Sequence, residues 1–218
     1  MFTSGAGGYA DRINTNEMQL PEPVSESVES VNHLLRRLDE ALSPRGFRRH
    51  KHTWNRKAET LVDVIDLQVS KSADSVVVNV GVLDTEIYAA CWLTDPPKFA
   101  FEPSCTVRSR LGLLMGDHDV SWRLAEKAAG DEIAAAVHTL AVPFLDRMHA
   151  PDALEQYLEA DRSMTQRYPP PIIYCALLKY RRGAKTQAEQ MLRGLRARTV
   201  GPWAVRIGEV LQGLGIAK

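Results

Sequence analysis

The chain has 218 residues, which is enough for one domain with a substantial core or for one domain with a helical extension. Its 27 basic and 27 acidic side chains cancel, and this balance argues against general nucleic-acid binding, which requires a basic excess. No apolar run reaches the roughly 18 residues that a membrane helix needs, so we expect no membrane association.

The first 24 residues carry glycine, serine, asparagine and two prolines without a periodic apolar pattern, which predicts a flexible N-terminal arm. Within this arm, Gly5, Gly7 and Ala10 formally match a dinucleotide-binding fingerprint. We discard the match because no strand precedes it and no amphipathic helix follows it, so a phosphate would lack a helix N-terminus to bind.

A long amphipathic helix is predicted next, beginning at Ser25 or Ser27, either of which can cap it. Pro44 and Gly46 should end this helix. Its apolar stripe at helical spacing consists of Val28, Val31, Leu34, Leu35, Leu38 and Leu42.

Strand patterns with a period of two follow the helix. The stretch Phe47 to Arg56 is a polar, basic strand candidate, Leu61 to Ser70 is a more apolar one, and Ser75 to Leu83 is the clearest. A further strand is predicted where Cys105 and Val107 alternate with polar residues. Because these strands follow one another without helical crossovers, we expect an antiparallel sheet with one face covered by helix and the other partly open.

The second half of the chain is predicted to be helical. Asp131 can cap a helix that Pro143 should kink. Further helices are predicted over Ala153–Glu159, Ile172–Arg182, Ala184–Arg196 and Pro202–Leu214. The second and third of these four resemble a single tetratricopeptide hairpin, and no second copy of the repeat follows.

These elements together predict an α+β fold. The N-terminal helix packs on a twisted antiparallel sheet, and a helical C-terminal region with the tetratricopeptide-like hairpin follows. We expect an arm over residues 1–24, an α+β domain over residues 25–150, and a helical extension over residues 151–218 that packs on this domain.

The candidate binding residues lie in two basic strands, where alternation places them on the outward side. They are His50, His52, Trp54, Arg56, Arg108 and Arg110. Tryptophan and arginine are enriched at the energetic centres of interfaces, so we expect Trp54 to anchor a partner and the arginines to steer an acidic patch. The alternative interpretation is a solvated face that only protects a sheet edge.

A metal or phosphate site is the competing interpretation. His50 and His52 lie at i and i+2, so on one strand they would point the same way, which suits zinc. Zinc needs a third protein ligand, and His118 or a neighbouring carboxylate, Asp117 or Asp119, could supply it. This arrangement predicts a metal- or phosphate-dependent enzyme centred on the three histidines.

Other catalytic classes find no support in the sequence, which contains no nucleophile elbow, Walker loop, His-Glu-x-x-His or Cys-x-x-Cys motif. Asp63 and Asp66 should point to opposite faces of one strand, so they are poor candidates for a paired general acid and base. Asp84 and Glu86 are better interpreted as marking a strand end.

The cysteines and the N-terminus favour a cytoplasmic location. Cys91, Cys105 and Cys175 are odd in number and widely spaced, which is typical of reduced thiols and not of a disulfide framework or a zinc knuckle. Cys105 and Cys175 fall among apolar residues and are predicted to be core residues. The N-terminus lacks the basic and apolar regions of a signal peptide.

The order of local patterns resembles a known family. The matching positions are Gly46-Phe47 at a helix end, Trp54 in a basic strand, Asn79 and Gly81 in a valine-rich strand, Arg108 and Arg110 before a Leu-Gly turn, and Pro143-Phe144-Leu145 in a helix. In this order they resemble the bacterial family known as domain of unknown function 4304, from about Val28 to the end of the chain. The resemblance implies an α+β fold and supplies no catalytic residues.

We therefore expect a non-enzymatic cytoplasmic protein that binds another protein and needs no cofactor. Small domains of this sort look like bacterial accessory or toxin-immunity proteins, so neutralisation of a toxin is one version of the hypothesis. The partner would be a protein such as a toxin, or an acidic protein surface, and neither a membrane nor nucleic acid. The alternatives are the enzyme described above and a structural homodimer. The C-terminal hairpin is a second possible surface, by analogy with peptide-binding helical repeats.

Overall fold

The computed structural model describes residues 26–116, 118–126, 128–160 and 169–216. The predicted arm over residues 1–24 lies outside these ranges, as do Ser25, one of the two predicted caps, and Asp117. The described chain is a mixed α+β protein, as predicted, with an antiparallel sheet, packed helices and a helical C-terminal region.

The first helix, α1 (Glu26–Leu42), contributes its apolar stripe from Val31 to Leu42 to the main core, whereas the side chain of Val28 lies outside the described part of the chain. Leu34, Leu38 and Leu42 are buried, as their helical spacing predicts. A 3₁₀ turn (Ser43–Arg45) follows, and Gly46 then adopts a φ of 85°, a left-handed conformation that glycine takes without steric cost. The helix therefore ends where the sequence predicts.

The sheet of the described residues has six strands, all paired antiparallel: β1 (Arg48–His50), β2 (Thr53–Ala58), β3 (Leu61–Val69), β4 (Ser75–Asp84), β5 (Val107–Arg110) and β6 (Trp122–Arg123). β1 to β5 lie side by side in chain order, and β6 pairs with the beginning of β4. Trp54, Ile65 and Val80 are aligned across β2, β3 and β4.

The predicted strand from Phe47 to Arg56 is in fact a hairpin of two strands. His50 pairs with Thr53, and Lys51 and His52 form the turn between them. Lys51 adopts a φ of 55°, the left-handed conformation that two-residue hairpin turns require and that glycine or asparagine usually marks in a sequence. Neither residue marks this turn, so alternation alone could not reveal it.

The sheet has an inner face, which carries Trp54, Ile65 and Val80, and an outer face, which carries Asn55 and Val64. The inner face joins α1 and the later helices in the main core. Part of the outer face is covered by the segment of residues 98–106, where a small second core forms. Its members are Val62, Val64, Leu83, Ala100 and Cys105. The outer face is therefore only partly open, as predicted.

The second core leaves no room for a side chain at Gly81, in β4. A Cβ atom there would lie 2.8 Å from Cys105 Sγ and 2.8 Å from the Val107 carbonyl oxygen. We expect Gly81→Ala to lower the free energy of unfolding by about 1–3 kcal/mol, because overpacking forces the neighbouring strand to move. Urea denaturation of the purified variant measures this change.

Gly194 provides the matched control for Gly81. It lies inside a C-terminal helix, and an added Cβ atom would meet no atom within 4 Å. Gly194→Ala should therefore raise the free energy of unfolding by about 0.5–1 kcal/mol, the difference in helix propensity. Equal effects of the two substitutions would show that the contact with Cys105 does not restrict Gly81.

The next helix, α2 (Thr85–Trp92), lies between β4 and β5, and Asp84 at its start accepts hydrogen bonds from the backbone N–H groups of Glu86 and Ile87. Next come α3 (Leu111–Met115), directly after β5, and α4 (Ala129–Ala136). The prediction that Asp131 caps this helix is wrong, because the helix begins earlier. Asp131 lies in its first turn and accepts a hydrogen bond from Arg37 of α1.

The helix α4 passes through a π-helical turn (Val137–Ala141) into α5 (Val142–Met148). Pro143 lies in the first turn of α5 and has no backbone N–H to donate. A π turn accommodates such an interruption of the hydrogen-bond ladder. The helix is therefore irregular one turn before Pro143, whereas the predicted kink itself stays a prediction.

The C-terminal region contains α6 (Ala153–Ala160), α7 (Pro169–Arg181), α8 (Lys185–Ala197) and α9 (Pro202–Gly213). α7 and α8 pack on each other, as predicted for the hairpin, and Gly183 between them has a φ of 95°. α7 also contacts α2 and α6 and is buried along most of its length. No helix in the described part of the chain is long and apolar enough to cross a membrane.

Candidate functional site

The six predicted binding residues do not share one surface. His50, Arg108 and Arg110 lie on the outer face of the sheet, Trp54 and Arg56 lie on the inner face, and His52 lies in the turn between β1 and β2. The hairpin turn resets the alternation, because two residues leave the strand between His50 and Thr53. β3 and β4 also separate the two basic regions, so these are not adjacent in the sheet.

Trp54 is a core residue, and the prediction that it anchors an exposed surface is wrong. Its side chain is 0% exposed, and its indole Nε1 donates a hydrogen bond to Asp39 Oδ1 of α1 at 2.8 Å. Arg49 Nε donates to the same carboxylate at 2.9 Å. The indole thus connects the inner face of the sheet to α1 and cannot meet a partner.

Arg56 is occupied by intramolecular contacts. Its Nε donates to Asp63 Oδ2 at 2.7 Å, its NH2 group donates to Asp146 Oδ1 at 2.5 Å, and its guanidinium lies over the Phe47 ring. Burial opposes ionisation of this guanidinium, but the hydrogen bonds to Asp146 and Asp63 outweigh it and raise the pKa of Arg56 above its ordinary value. Arg56 therefore stabilises the fold and is not free to steer a partner.

Arg108 and Arg110 share the outer face, as predicted, but each already has an acidic partner. Arg108 pairs with Glu102, and Arg110 pairs with Asp119. Since these carboxylates offset the two positive charges, the pair adds little net potential to attract an acidic protein.

His50 packs against two aromatic rings of the segment that crosses the outer face. Its ring centroid lies 5.4 Å from that of Phe99 and 6.4 Å from that of Phe101. His52 lies in the turn, where it does not share a strand face with His50. Within the described residues, no group of three or more histidine, cysteine, aspartate or glutamate side chains could hold a metal ion.

A different set of side chains forms the exposed basic surface. Arg48 and Lys57 lie on the outer face beside Asn55, and Lys51 lies at the tip of the hairpin. None of these three cations has an ion-pair partner among the described residues. Together with the three rings described above they form what we call the basic–aromatic patch: Arg48, His50, Lys51, Lys57, Phe99 and Phe101.

The basic–aromatic patch is held in place by hydrogen bonds to the sheet. Asn55 Nδ2 donates to the Ala100 carbonyl at 2.9 Å, and the Ala100 N–H donates to Asn55 Oδ1 at 2.7 Å. This pair of bonds fixes the backbone between Phe99 and Phe101, and Phe101 remains 45% exposed. The exposed ring is therefore presented by an ordered backbone.

A second polar region, at the junction of the sheet and the C-terminal helices, was missed by sequence reasoning. It contains three buried carboxylates, Asp63, Asp84 and Glu155. Their partners include His149 Nε2, 2.8 Å from Asp63 Oδ1, Arg181, which donates to Asp84 Oδ2 at 2.7 Å, and Arg182 and Lys179, which both donate to Glu155 at 2.6 Å. Every buried charge of this region is thus paired, as burial requires.

The titration of Glu155 and Lys179 reflects this pairing. Burial alone would raise the pKa of Glu155, but hydrogen bonds from Arg182 and Lys179 lower it below its ordinary value of 4.5. Burial alone would lower the pKa of Lys179, but hydrogen bonds to Glu155 and Glu159 raise it above 10.5. Both groups are therefore charged over the whole physiological range.

A cleft of about 530 Å³ opens beside these ion pairs, between the β2–β3 turn, the loop before α6 and the end of α7. We call it the junction cleft. Apolar side chains in its lining are Leu61, Met148, Leu154 and Leu178, and its polar lining includes Glu59, His149, Asp152, Arg181 and Arg182. Its size is that of a small-molecule site.

Only part of the junction cleft left a signal in the sequence. Asp63 interrupts an otherwise apolar strand, and a charge at such a position predicts a buried partner. Asp63 and Asp66 do lie on opposite faces, and Asp84 does mark a strand end, as predicted. The partners His149 and Arg181 are more than 80 residues away along the chain, so no local pattern could identify them.

The three cysteines are free and buried, as predicted for Cys105 and Cys175. Burial raises the pKa of the Cys91 thiol to about 12 and that of Cys175 to about 11, and it also raises the pKa of Cys105. Since the thiolate is the nucleophile, none of the three is suited to nucleophilic catalysis.

Comparison with known proteins confirms the predicted family resemblance, over a shorter range than the one expected from Val28 to the end of the chain. No curated protein and no solved structure gives a significant match to the chain. The family described as Domain of unknown function (DUF4304) matches residues 38–147, just over half of the chain. This range includes β1 to β6, the basic–aromatic patch and the carboxylates Asp63 and Asp84. The chain therefore belongs to the DUF4304 family.

Proposed function

We propose that this chain is a non-enzymatic, cytoplasmic binding protein that attaches to an acidic surface of another protein through its basic–aromatic patch. Neutralisation of a toxin in a bacterium is one version of this function. The observation that carries the proposal is that Arg48, Lys51 and Lys57, which have no ion-pair partner among the described residues, lie on the hairpin that carries His50. The ring of His50 in turn contacts the exposed ring of Phe101.

The chemistry of the patch supports an acidic partner. Cations without intramolecular partners attract an acidic surface and accelerate encounter, whereas an aromatic ring supplies apolar contact area after docking. An ordered backbone under the ring lowers the entropy that binding costs. The paired Arg108 and Arg110 lie at the margin of this surface and are not its main source of charge.

The cytoplasmic part of the proposal is supported by the three free cysteines, since thiols persist in reducing compartments. The enzyme centred on His50, His52 and His118 has no supporting geometry in the described part of the chain, because His50 packs on phenylalanine rings and the hairpin turn separates it from His52. The structural homodimer is an alternative that the experiment below distinguishes.

Site-specific photo-crosslinking in the native host tests the proposal. A photoreactive phenylalanine analogue at Phe101 should give an adduct with an acidic protein, whereas the same analogue at Val205, an exposed position on α9, should not. The double variant Arg48→Glu/Lys57→Glu should reduce the Phe101 adduct about tenfold, since attraction becomes repulsion.

Three outcomes would contradict the proposal. Equal adduct yields at Phe101 and Val205 would show that the patch binds no partner. An adduct that charge reversal leaves unchanged would exclude an acidic surface as the target. An adduct with the mass of two copies of the chain would favour the homodimer instead.

A further inference from the structure

The junction cleft contains both signs of charge in positions that remain available to a ligand. Arg181 and Arg182 line it, and each uses only part of its five guanidinium N–H donors on the carboxylates of Asp84, Glu86 and Glu155. The unused donors have no acceptor among the described residues. They can therefore still bind a carboxylate from a ligand.

Two exposed acidic side chains lie on the same lining, and one of them, Asp152, lies close enough to Arg182 to contribute, after Glu155, to the raised pKa of that guanidinium. Glu59 and Asp152 are exposed, and neither has an ion pair or a side-chain hydrogen bond among the described residues. A ligand that carried only negative charge would be repelled by these two carboxylates. A ligand that carried only positive charge would leave the unused guanidinium donors of Arg181 and Arg182 without an acceptor.

Most of the remaining lining is apolar, and Thr60, His149 and Glu155 are its polar members. The larger apolar side chains are Leu61, Met148, Leu154 and Leu178. His149 adds a fixed polar group, because its Nε2 is held by the buried carboxylate of Asp63 while its Nδ1 has no partner among the described residues. A rigid imidazole next to aliphatic walls suits a ligand with a short apolar body and a hydrogen-bond donor.

From this combination we propose that the junction cleft binds a zwitterionic small molecule with an apolar body, namely a free amino acid with an aliphatic side chain. Its carboxylate meets the unused donors of Arg181 and Arg182, its ammonium meets Glu59 and Asp152, and its side chain contacts the aliphatic walls. The net charge of the ligand is zero, so both signs of the lining are satisfied together. This site is independent of the basic–aromatic patch.

Methyl-¹³C methionine NMR tests the proposal on the full chain. L-leucine should shift the Met148 methyl resonance with a Kd of about 1 mM, an affinity appropriate to a small ligand. Met115, which is exposed outside the cleft lining, provides the internal control and should not shift. Leucinamide and 4-methylpentanoate, each of which lacks one of the two charges, should bind about tenfold more weakly than L-leucine.

Substitutions of exposed carboxylates test which side chains bind the ammonium group of the ligand. Glu59→Gln/Asp152→Asn removes the two exposed carboxylates and should weaken L-leucine binding about fivefold or more, at the upper end for partly exposed ion pairs. Glu126→Gln removes an exposed carboxylate elsewhere and should have no effect. Absence of a Met148 shift, or equal shifts with L-leucine and 4-methylpentanoate, would overturn the proposal. Neither result would affect the crosslinking at Phe101.

Discussion

Replacing Trp54 with alanine is expected to lower the free energy of unfolding by about 3–5 kcal/mol, the range for removing a large aromatic side chain from a packed core. Trp54 is fully buried, and no other side chain of the inner face could fill the space without moving a strand or α1. Urea denaturation followed by circular dichroism measures the change.

Two further variants separate packing from hydrogen bonding at Trp54. Trp54→Phe keeps an aromatic ring in the core but loses the indole N–H that donates to Asp39. It should lower the free energy of unfolding by less than Trp54→Ala does, because the phenyl ring retains much of the apolar contact. His50→Ala, on the exposed end of the same hairpin, should change stability by about 0.5 kcal/mol or less. If Trp54→Ala behaves like His50→Ala, the indole is not part of the core.

The second large effect is expected at Glu155. Glu155→Gln should lower the free energy of unfolding at pH 7 by about 3 kcal/mol, at the lower end of the range for removing one partner of a buried ion pair. The lower end applies because Lys179 keeps a second partner, the carboxylate of Glu159. Glu159→Gln is the matched control, since Glu159 pairs with the same ammonium but is half-exposed, and it should cost less than about 1 kcal/mol.

The effect of Glu155→Gln should depend on pH in a defined direction. Because the folded-state pKa of Glu155 lies below its ordinary value of 4.5, the unfolded chain binds its proton first as the pH falls. The stabilisation is therefore complete above pH 4.5 and is lost as the pH falls through the folded-state pKa. The difference between the wild-type protein and the variant should shrink in that acidic range. A difference that is constant down to strongly acidic pH would contradict the assigned ion pair.

Lys179 gives the opposite limit on the alkaline side. The folded-state pKa of Lys179 lies above 10.5. The stability that its charged form contributes is therefore fully present below pH 10.5 and is lost as the pH rises through the folded-state pKa. The Glu155–Lys179 pair thus stabilises the fold across the whole neutral range. This pair cannot serve as a switch near neutral pH.

The ion pairs of the junction also connect the family region to the rest of the chain. Asp63 and Asp84 lie within the matched residues 38–147, whereas His149 and Arg181 lie beyond them. The main core likewise includes side chains from the sheet and from α7, α8 and α9. The C-terminal helices therefore complete the charges and the apolar surface of the family region in this chain, and they form one wall of the junction cleft.

The sequence by itself determined the regular elements of this protein. The leucine stripe of α1 and the alternating valines of β4 each follow from a local period of hydrophobicity, and Gly46 marks a helix end through its own backbone freedom. The consecutive strands also predicted the antiparallel sheet, and the order of these patterns predicted the family. These properties depend on residues that are close along the chain, so a single sequence is sufficient to reveal them.

Only the tertiary structure decided which polar residues are free to act. The turn at Lys51, which no glycine or asparagine marks in the sequence, places Trp54 on the inner face of the sheet and in the core. Carboxylates from other parts of the chain pair with Arg56, Arg108 and Arg110 and offset their charges. The physical reason is that the availability of a charge depends on its neighbours in space. In this protein those neighbours come from distant segments that local periodicity cannot bring together.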